Sequence, residues 1–127
     1  MERVLLVFLG SGVGGALRYL VGLGAASAFG SAFPYGTLIV NVAGSFLIGF
    51  IMHVGLSSTL ISPSTRIFLT TGIMGGLTTY STFNYETLEY ARSRAWVLFA
   101  ANVGITLVAC LVAGTLGLAA GRALLAR

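Results

Sequence analysis

The chain has 127 residues, 57% of them hydrophobic and only 8% charged, far below the roughly 25% charged residues of an average soluble domain. Its mean hydropathy is +0.98. The charges are seven arginines against three glutamates, spread along the chain for a net +4, with no basic cluster of the kind that tracks nucleic acid; this excludes a soluble globular domain and a nucleic-acid-binding one, and leaves an all-α integral membrane protein forming one domain over residues 1–127.

Two stretches carry no formal charge with His53 neutral, from Tyr19 to Thr65 and from Ala95 to Gly121. Both exceed the roughly 20 apolar residues a spanning helix needs. In chain order the pattern predicts four spans: about Val4 to Ala26, about Thr37 to Leu56, about Arg66 to Tyr90 and about Ala95 to Leu125. Pro34 and Gly36 mark the first turn, and the Ser58–Ser64 linker with Pro63 marks the second. The linkers are short, so consecutive helices are expected to be antiparallel neighbours.

In the first span, Arg3, the following apolar run and Ala26-Ser27-Ala28 give a weak likeness to a signal peptide. Arg18 and the glycines break up the roughly 7–15-residue apolar core that such a signal carries, so the segment is expected to remain as a span. Gly10-Ser11-Gly12-Val13-Gly14-Gly15 matches a dinucleotide-binding pattern, but that fingerprint needs an acidic residue about 20 positions on, and none occurs between Glu2 and Glu86. Arg18 itself is costly at membrane depth and either faces a cavity or snorkels to the interface. In the second span Asn41 needs hydrogen-bond partners in lipid, as a functional donor or as glue between helices. His53 has no acidic neighbour in sequence and reads as an interface residue.

The third span departs from what a lipid-facing helix tolerates. Residues 72–83 read Gly-Ile-Met-Gly-Gly-Leu-Thr-Thr-Tyr-Ser-Thr-Phe. Hydrocarbon offers no partner to freed backbone groups, so irregular backbone persists only where it is buried in protein or lines a cavity. A break is therefore expected here. Carbonyls freed near Gly75, Gly76, Thr78 and Thr79 would suit a small hard cation. Tyr80 and Phe83 share a helical face if helix resumes, and aromatic edges are electropositive enough to meet an anion; ordinary ring packing is the alternative. Ser81, Thr82 and, in the fourth span, Thr106 add hydroxyl donors. Cys110 is the only cysteine and reads as a small apolar residue. Gly10/Gly14, Ser45/Gly49, Gly72/Gly76 and Gly117/Gly121 have the spacing that lets helices approach closely. No nucleophile–base pair is visible, so an enzyme is not expected.

If the N-terminus, the second-to-third loop and the C-terminus share one side, that side holds Arg3, Arg66, Arg122 and Arg127, and the other holds Arg18, Arg92 and Arg94. Orientation follows arginine and lysine bias, and four against three is almost none. The expectation is an antiparallel, dual-topology homodimer with the functional path at or near its interface.

Three segments carry a resemblance to the Fluc/CrcB fluoride channels of bacteria, covering nearly the whole length. They are Gly14-Gly15-Ala16-Leu17-Arg18-Tyr19; Gly36-Thr37-Leu38-Ile39-Val40-Asn41 with Gly44, Phe46 and Gly49; and the run from Gly72 through Phe83, the most specific of the three. The resemblance implies passive fluoride export across the bacterial cytoplasmic membrane through two antiparallel pores per dimer, with a heterodimer of two family members as a variant. It implies a central structural Na+ held by backbone carbonyls of Gly75 and Thr78. It implies pore walls built from Asn41, Tyr80, Ser81, Thr82, Phe83, Thr106 and Cys110, with Arg18 near a vestibule. This chain departs from the family pattern at Tyr80, where Phe is common, and at Thr106 and Cys110, where Tyr and Ser are common. The other class the architecture suits is a small dual-topology multidrug or cation exporter, which needs a membrane-embedded carboxylate; Glu86 and Glu89, late in the third span, are the available ones.

Overall fold

The computed structural model describes all residues from Met1 to Arg127, and it is helical throughout, with no strand. Helix α1 runs Glu2–Phe29, α2 Tyr35–Ser57 and α3 Pro63–Ile67. A π-helical turn over Phe68–Met74 leads from α3 into the short α4, Gly75–Leu77. After two extended residues, α5 runs Tyr80–Arg92 and α6 Trp96–Leu125. Helices α1, α2 and α6 are each long and apolar enough to cross a membrane. The segment 63–92, expected as a span with a break, is two helical pieces separated at Thr78 and Thr79.

Local chemistry moves the start of that segment three residues ahead of the expected Arg66. Ser62 accepts a hydrogen bond from Thr65 N–H at 3.1 Å and Pro63 occupies the first turn, where its missing N–H costs nothing. Arg66 then donates to Gly55 C=O in the last turn of α2, tying the two elements together. The π-helical turn follows from a widened bond: Gly75 N–H reaches Thr70 C=O, five residues back, as well as Gly72 C=O.

Small residues set the packing, as the spacing predicts. Gly10 and Gly14 of α1 lie against Gly72, Ile73 and Gly76; a methyl group added at Gly10 would sit 2.8 Å from Gly72 Cα, and one at Gly76 2.9 Å from Ser11 Cα. On the other side, Gly49, Gly114 and Gly117 bring α2 and α6 into backbone contact. The core between these pairs is thin: Val40, Met74 and Leu77 are buried, with Val21 and Ile73 packed on them. Large apolar side chains such as Leu5, Phe8, Val97 and Leu111 point outward, as they do when the surrounding solvent is lipid.

Replacing Gly117 by Ala should therefore push α2 and α6 apart, since the new methyl would lie 2.9 Å from the Phe46 carbonyl carbon, and neither backbone can yield. Overpacking of this kind costs about 1–3 kcal/mol. Thermal unfolding in detergent should show a lowered Tm for Gly117→Ala and none for Gly12→Ala, which meets nothing within 4 Å.

Candidate functional site

The break at Thr78 and Thr79 is the centre of the site. Both residues are extended, with φ −79° and ψ 156° at Thr78 and φ −153° and ψ 118° at Thr79. Asn41, from α2, clamps the second of them at both ends. Its Nδ2 donates to Thr79 C=O at 3.1 Å, and its Oδ1 accepts from Thr79 N–H at 2.8 Å. The interhelical role open to Asn41 in the sequence is thus its observed contact. Thr79 Oγ1 then caps α5 by accepting from Thr82 N–H at 3.2 Å.

These bonds divert two donors. In an unbroken helix Thr79 N–H would close onto Gly75 C=O, and Thr82 N–H onto Thr78 C=O. Here both go to side chains. The carbonyls of Gly75 and Thr78 are left without those partners, and Thr78 C=O receives only a long contact from Arg18 Nη1 at 3.5 Å. Two neutral carbonyl oxygens form a hard donor set, the type that sodium and calcium take. No cluster of histidine, cysteine or acidic side chains suited to a metal exists in the fold, so the oxygens at the break are those of backbone carbonyls, hydroxyls and the Asn41 amide. The residues present fit a small alkali cation.

Beside the break lies a groove of about 560 Å³, bounded by α2, the segment from the π-helical turn through Thr79, α5 and α6. It collects Asn41, Gly75, Thr78, Tyr80, Phe83, Thr106 and Cys110, and none of its lining side chains is formally charged. The Tyr80 and Phe83 rings are 5.7 Å apart and tilted by 52°. Phe83 is half-buried, whereas Tyr80 is 79% exposed and stands at the open side of the groove. Thr106 is buried.

A second cavity, of about 600 Å³, lies on the far side of the break. It holds Arg18, Thr82, Thr37 and Glu86. Glu86 Oε1 accepts from Thr37 Oγ1 at 2.7 Å, while its Oε2 is buried without a partner. The proposed pore residues are therefore divided: Thr82 lines this cavity rather than the groove, and Ser81 lines neither, its hydroxyl sharing a 3.3 Å hydrogen bond with Thr79 Oγ1. Thr79 lines both spaces and is the residue that joins them. The sequence marks Thr79 only as part of the break, since its role depends on which side chain caps α5. Asn102 and Thr87, a buried hydrogen-bonded pair between α6 and α5, escape the sequence reading, although an amide inside an apolar helix is itself a signal.

A family profile described as "CrcB-like protein, Camphor Resistance (CrcB)" matches residues 5–118. Similar proteins include one named "Fluoride-specific ion channel FluC" from Sorangium cellulosum, 47% identical over 126 residues and covering 99% of both chains. Two others bear the same name. The one from Clostridium perfringens strain 13 is 50% identical over 84% of this chain and 86% of its own. The one from Geotalea uraniireducens is 44% identical over 98% of this chain and 100% of its own. With a broken, small-residue-packed helical segment at its centre and relatives matched over almost all of its length, the chain belongs to the CrcB-like protein family.

Proposed function

We propose that the chain is the subunit of a fluoride-selective channel that lets fluoride leave a bacterial cell passively across the cytoplasmic membrane. In this reading the segment 63–92 is the third of four crossings, made as two half-helices, and two copies assemble antiparallel with one pore each. A partner of the same family but different sequence would serve the same geometry. The relatives named as fluoride-specific channels support the substrate. The observation that carries the reading on this chain is the neutral groove beside the Asn41-clamped break.

The groove suits a small, strongly hydrated anion for a physical reason. Conduction requires sites that bind well enough to replace hydration and weakly enough to release. A formal positive charge at close range would hold fluoride too firmly. The groove instead offers the Asn41 amide, the Thr106 hydroxyl, the Cys110 thiol and ring edges of Tyr80 and Phe83. Arg18 lies outside it, in the second cavity, where it can draw anions to the entrance. The Thr79 hydroxyl lies between the two spaces, and it donates to the Thr82 hydroxyl on the cavity side at 3.0 Å.

The carbonyls of Gly75 and Thr78 would hold Na+, two from each subunit at a shared axis. When bound, the ion supplies positive field and ties the two breaks together. Support for a second copy comes from the open side of the groove, where Gly75 and Tyr80 are exposed. The exporter alternative requires a carboxylate that trades protons for a cation; Glu86 is held by Thr37 in the second cavity, and the relatives carry channel names.

Efflux from liposomes holding the purified protein decides between the two. Electrogenic fluoride leak with negligible chloride leak is expected; proton-coupled uptake of an organic cation without fluoride leak would overturn the channel. Within that assay, Phe83→Ile should slow fluoride efflux by about tenfold or more, equivalent to roughly 1.4 kcal/mol on the barrier, with the assembly intact on gel filtration. Tyr80→Phe should keep the flux within about twofold of wild type, because it retains the ring edge and loses only the hydroxyl. Exhaustive removal of sodium should weaken fluoride flux and dimer stability together. Unchanged flux in protein shown by elemental analysis to be free of alkali metal would refute the carbonyl site.

A further inference from the structure

Asn102 sits in an apolar run of α6, four residues before Thr106 and eight before Cys110, and so on the same helical face. It is 1% exposed, the most deeply buried polar residue of the chain, and it lines neither cavity. Its Nδ2 donates to Thr87 Oγ1 at 2.9 Å, and Thr87 Oγ1 donates to Phe83 C=O at 2.7 Å. Thr87 is itself buried.

The three groups form a chain with one direction: amide N–H to hydroxyl, hydroxyl to carbonyl. Thr87 Oγ has a single hydrogen, spent on Phe83, so only Asn102 N–H can occupy the hydroxyl's acceptor side. Bonds linked in this order polarise one another in a low-dielectric interior. The chain ends on the backbone of the residue whose ring forms the groove wall. It begins one helical turn from Thr106, the hydroxyl on the facing wall. The register between the Phe83 ring and the Thr106 hydroxyl is therefore fixed through Asn102 and Thr87.

We propose that Asn102 is a positioning residue for ion passage, holding the Phe83 side of the groove at its working distance from Thr106 through the Thr87 hydroxyl, without touching the ion. This rests on the reading of Phe83 as a pore wall. Asn102 is enclosed and lines neither cavity, with one of its two amide N–H groups held by Thr87. Generic packing would require only an apolar side chain of similar volume, whereas the geometry uses the amide's donor.

The test is a double-mutant cycle read by fluoride efflux, chloride leak and hydrogen exchange. Asn102→Leu and Thr87→Val should each slow fluoride efflux by roughly fivefold to tenfold and narrow the fluoride-to-chloride ratio. The double variant should be no slower than the worse single, because removing both partners strands no polar group. Thr87→Ser, which keeps the hydroxyl, should retain near-wild-type flux. In a Phe83→Ile background, Asn102→Leu should add nothing. Amide exchange over residues 83–90 should speed up in both single variants. Wild-type efflux and selectivity in Asn102→Leu, additive effects in the cycle, or an undiminished effect in the Phe83→Ile background would each overturn the proposal. Were Asn102→Leu to misassemble, Thr87→Val and Thr87→Ser decide the same question. A wild-type protein without fluoride leak would refute the channel reading, while the exchange measurement still decides whether Asn102 and Thr87 hold α5.

Discussion

Everything at the centre of this molecule depends on how the backbone is satisfied at Thr79. A break in a helix surrounded by hydrocarbon exposes donors and acceptors that have no solvent to turn to, and each unsatisfied group costs several kcal/mol. Asn41 resolves the problem unevenly. Its amide takes Thr79 N–H and C=O, and Thr79 Oγ1 takes Thr82 N–H. The donors are thereby satisfied, while the acceptors they would have met, the carbonyls of Gly75 and Thr78, are released. A break closed in this way has a net surplus of oxygen. That surplus is a property of the clamp, and it makes the site suited to a cation without any acidic side chain.

The glycine packing serves the same end. Gly10, Gly14, Gly72 and Gly76 press α1 against the first half of the broken segment, and Gly49, Gly114 and Gly117 press α2 against α6. The groove lies between these two tight pairs. Backbone-to-backbone contacts are stiff, because no side chain can rotate to absorb strain. Gly44 makes the link: the space a side chain would fill there is taken by the Thr78 methyl, so the break itself is seated on α2. Charge is sorted by the same division, with Arg18 and Glu86 in the cavity on one side of Thr79 and uncharged donors on the other.

Much of this was legible in the sequence. Long uncharged runs mark α1, α2 and α6, and the glycine and hydroxyl block at 72–83 marks the break to within a residue or two. Seven of the expected site positions line one groove. What was not legible depends on direction. Ser81 and Thr82 are adjacent to groove-lining positions in sequence, but one turn of α5 points them elsewhere, and where α5 begins is decided by the Thr79 cap. The π-helical turn at Phe68–Met74 shifts the phase of everything after it, and composition does not announce the extra residue per turn. Asn102 and Thr87 are fifteen residues apart across the α5–α6 turn, and pairing them requires knowing how α5 leans on α6.

In the proposed dimer, Tyr80 is a group that the second copy would cover. A phenol ring 79% exposed, next to an exposed glycine and a Thr78 carbonyl that receives only a long contact from Arg18, is a costly surface in lipid. The carbonyls of Gly75 and Thr78 provide two oxygens, while hard cations of this kind prefer about six or more. Gly75 and Tyr80 stand exposed together along the groove. A second copy related by a two-fold axis would double the oxygens and cover the ring in one contact, because an isologous interface presents each patch to its own likeness. The hydroxyl that Tyr80 adds to the ring would then lie near the subunit boundary rather than deep in the path. That position explains how this chain can carry a phenol at the open side of the groove while keeping Phe83, the better buried of the two rings, as the wall.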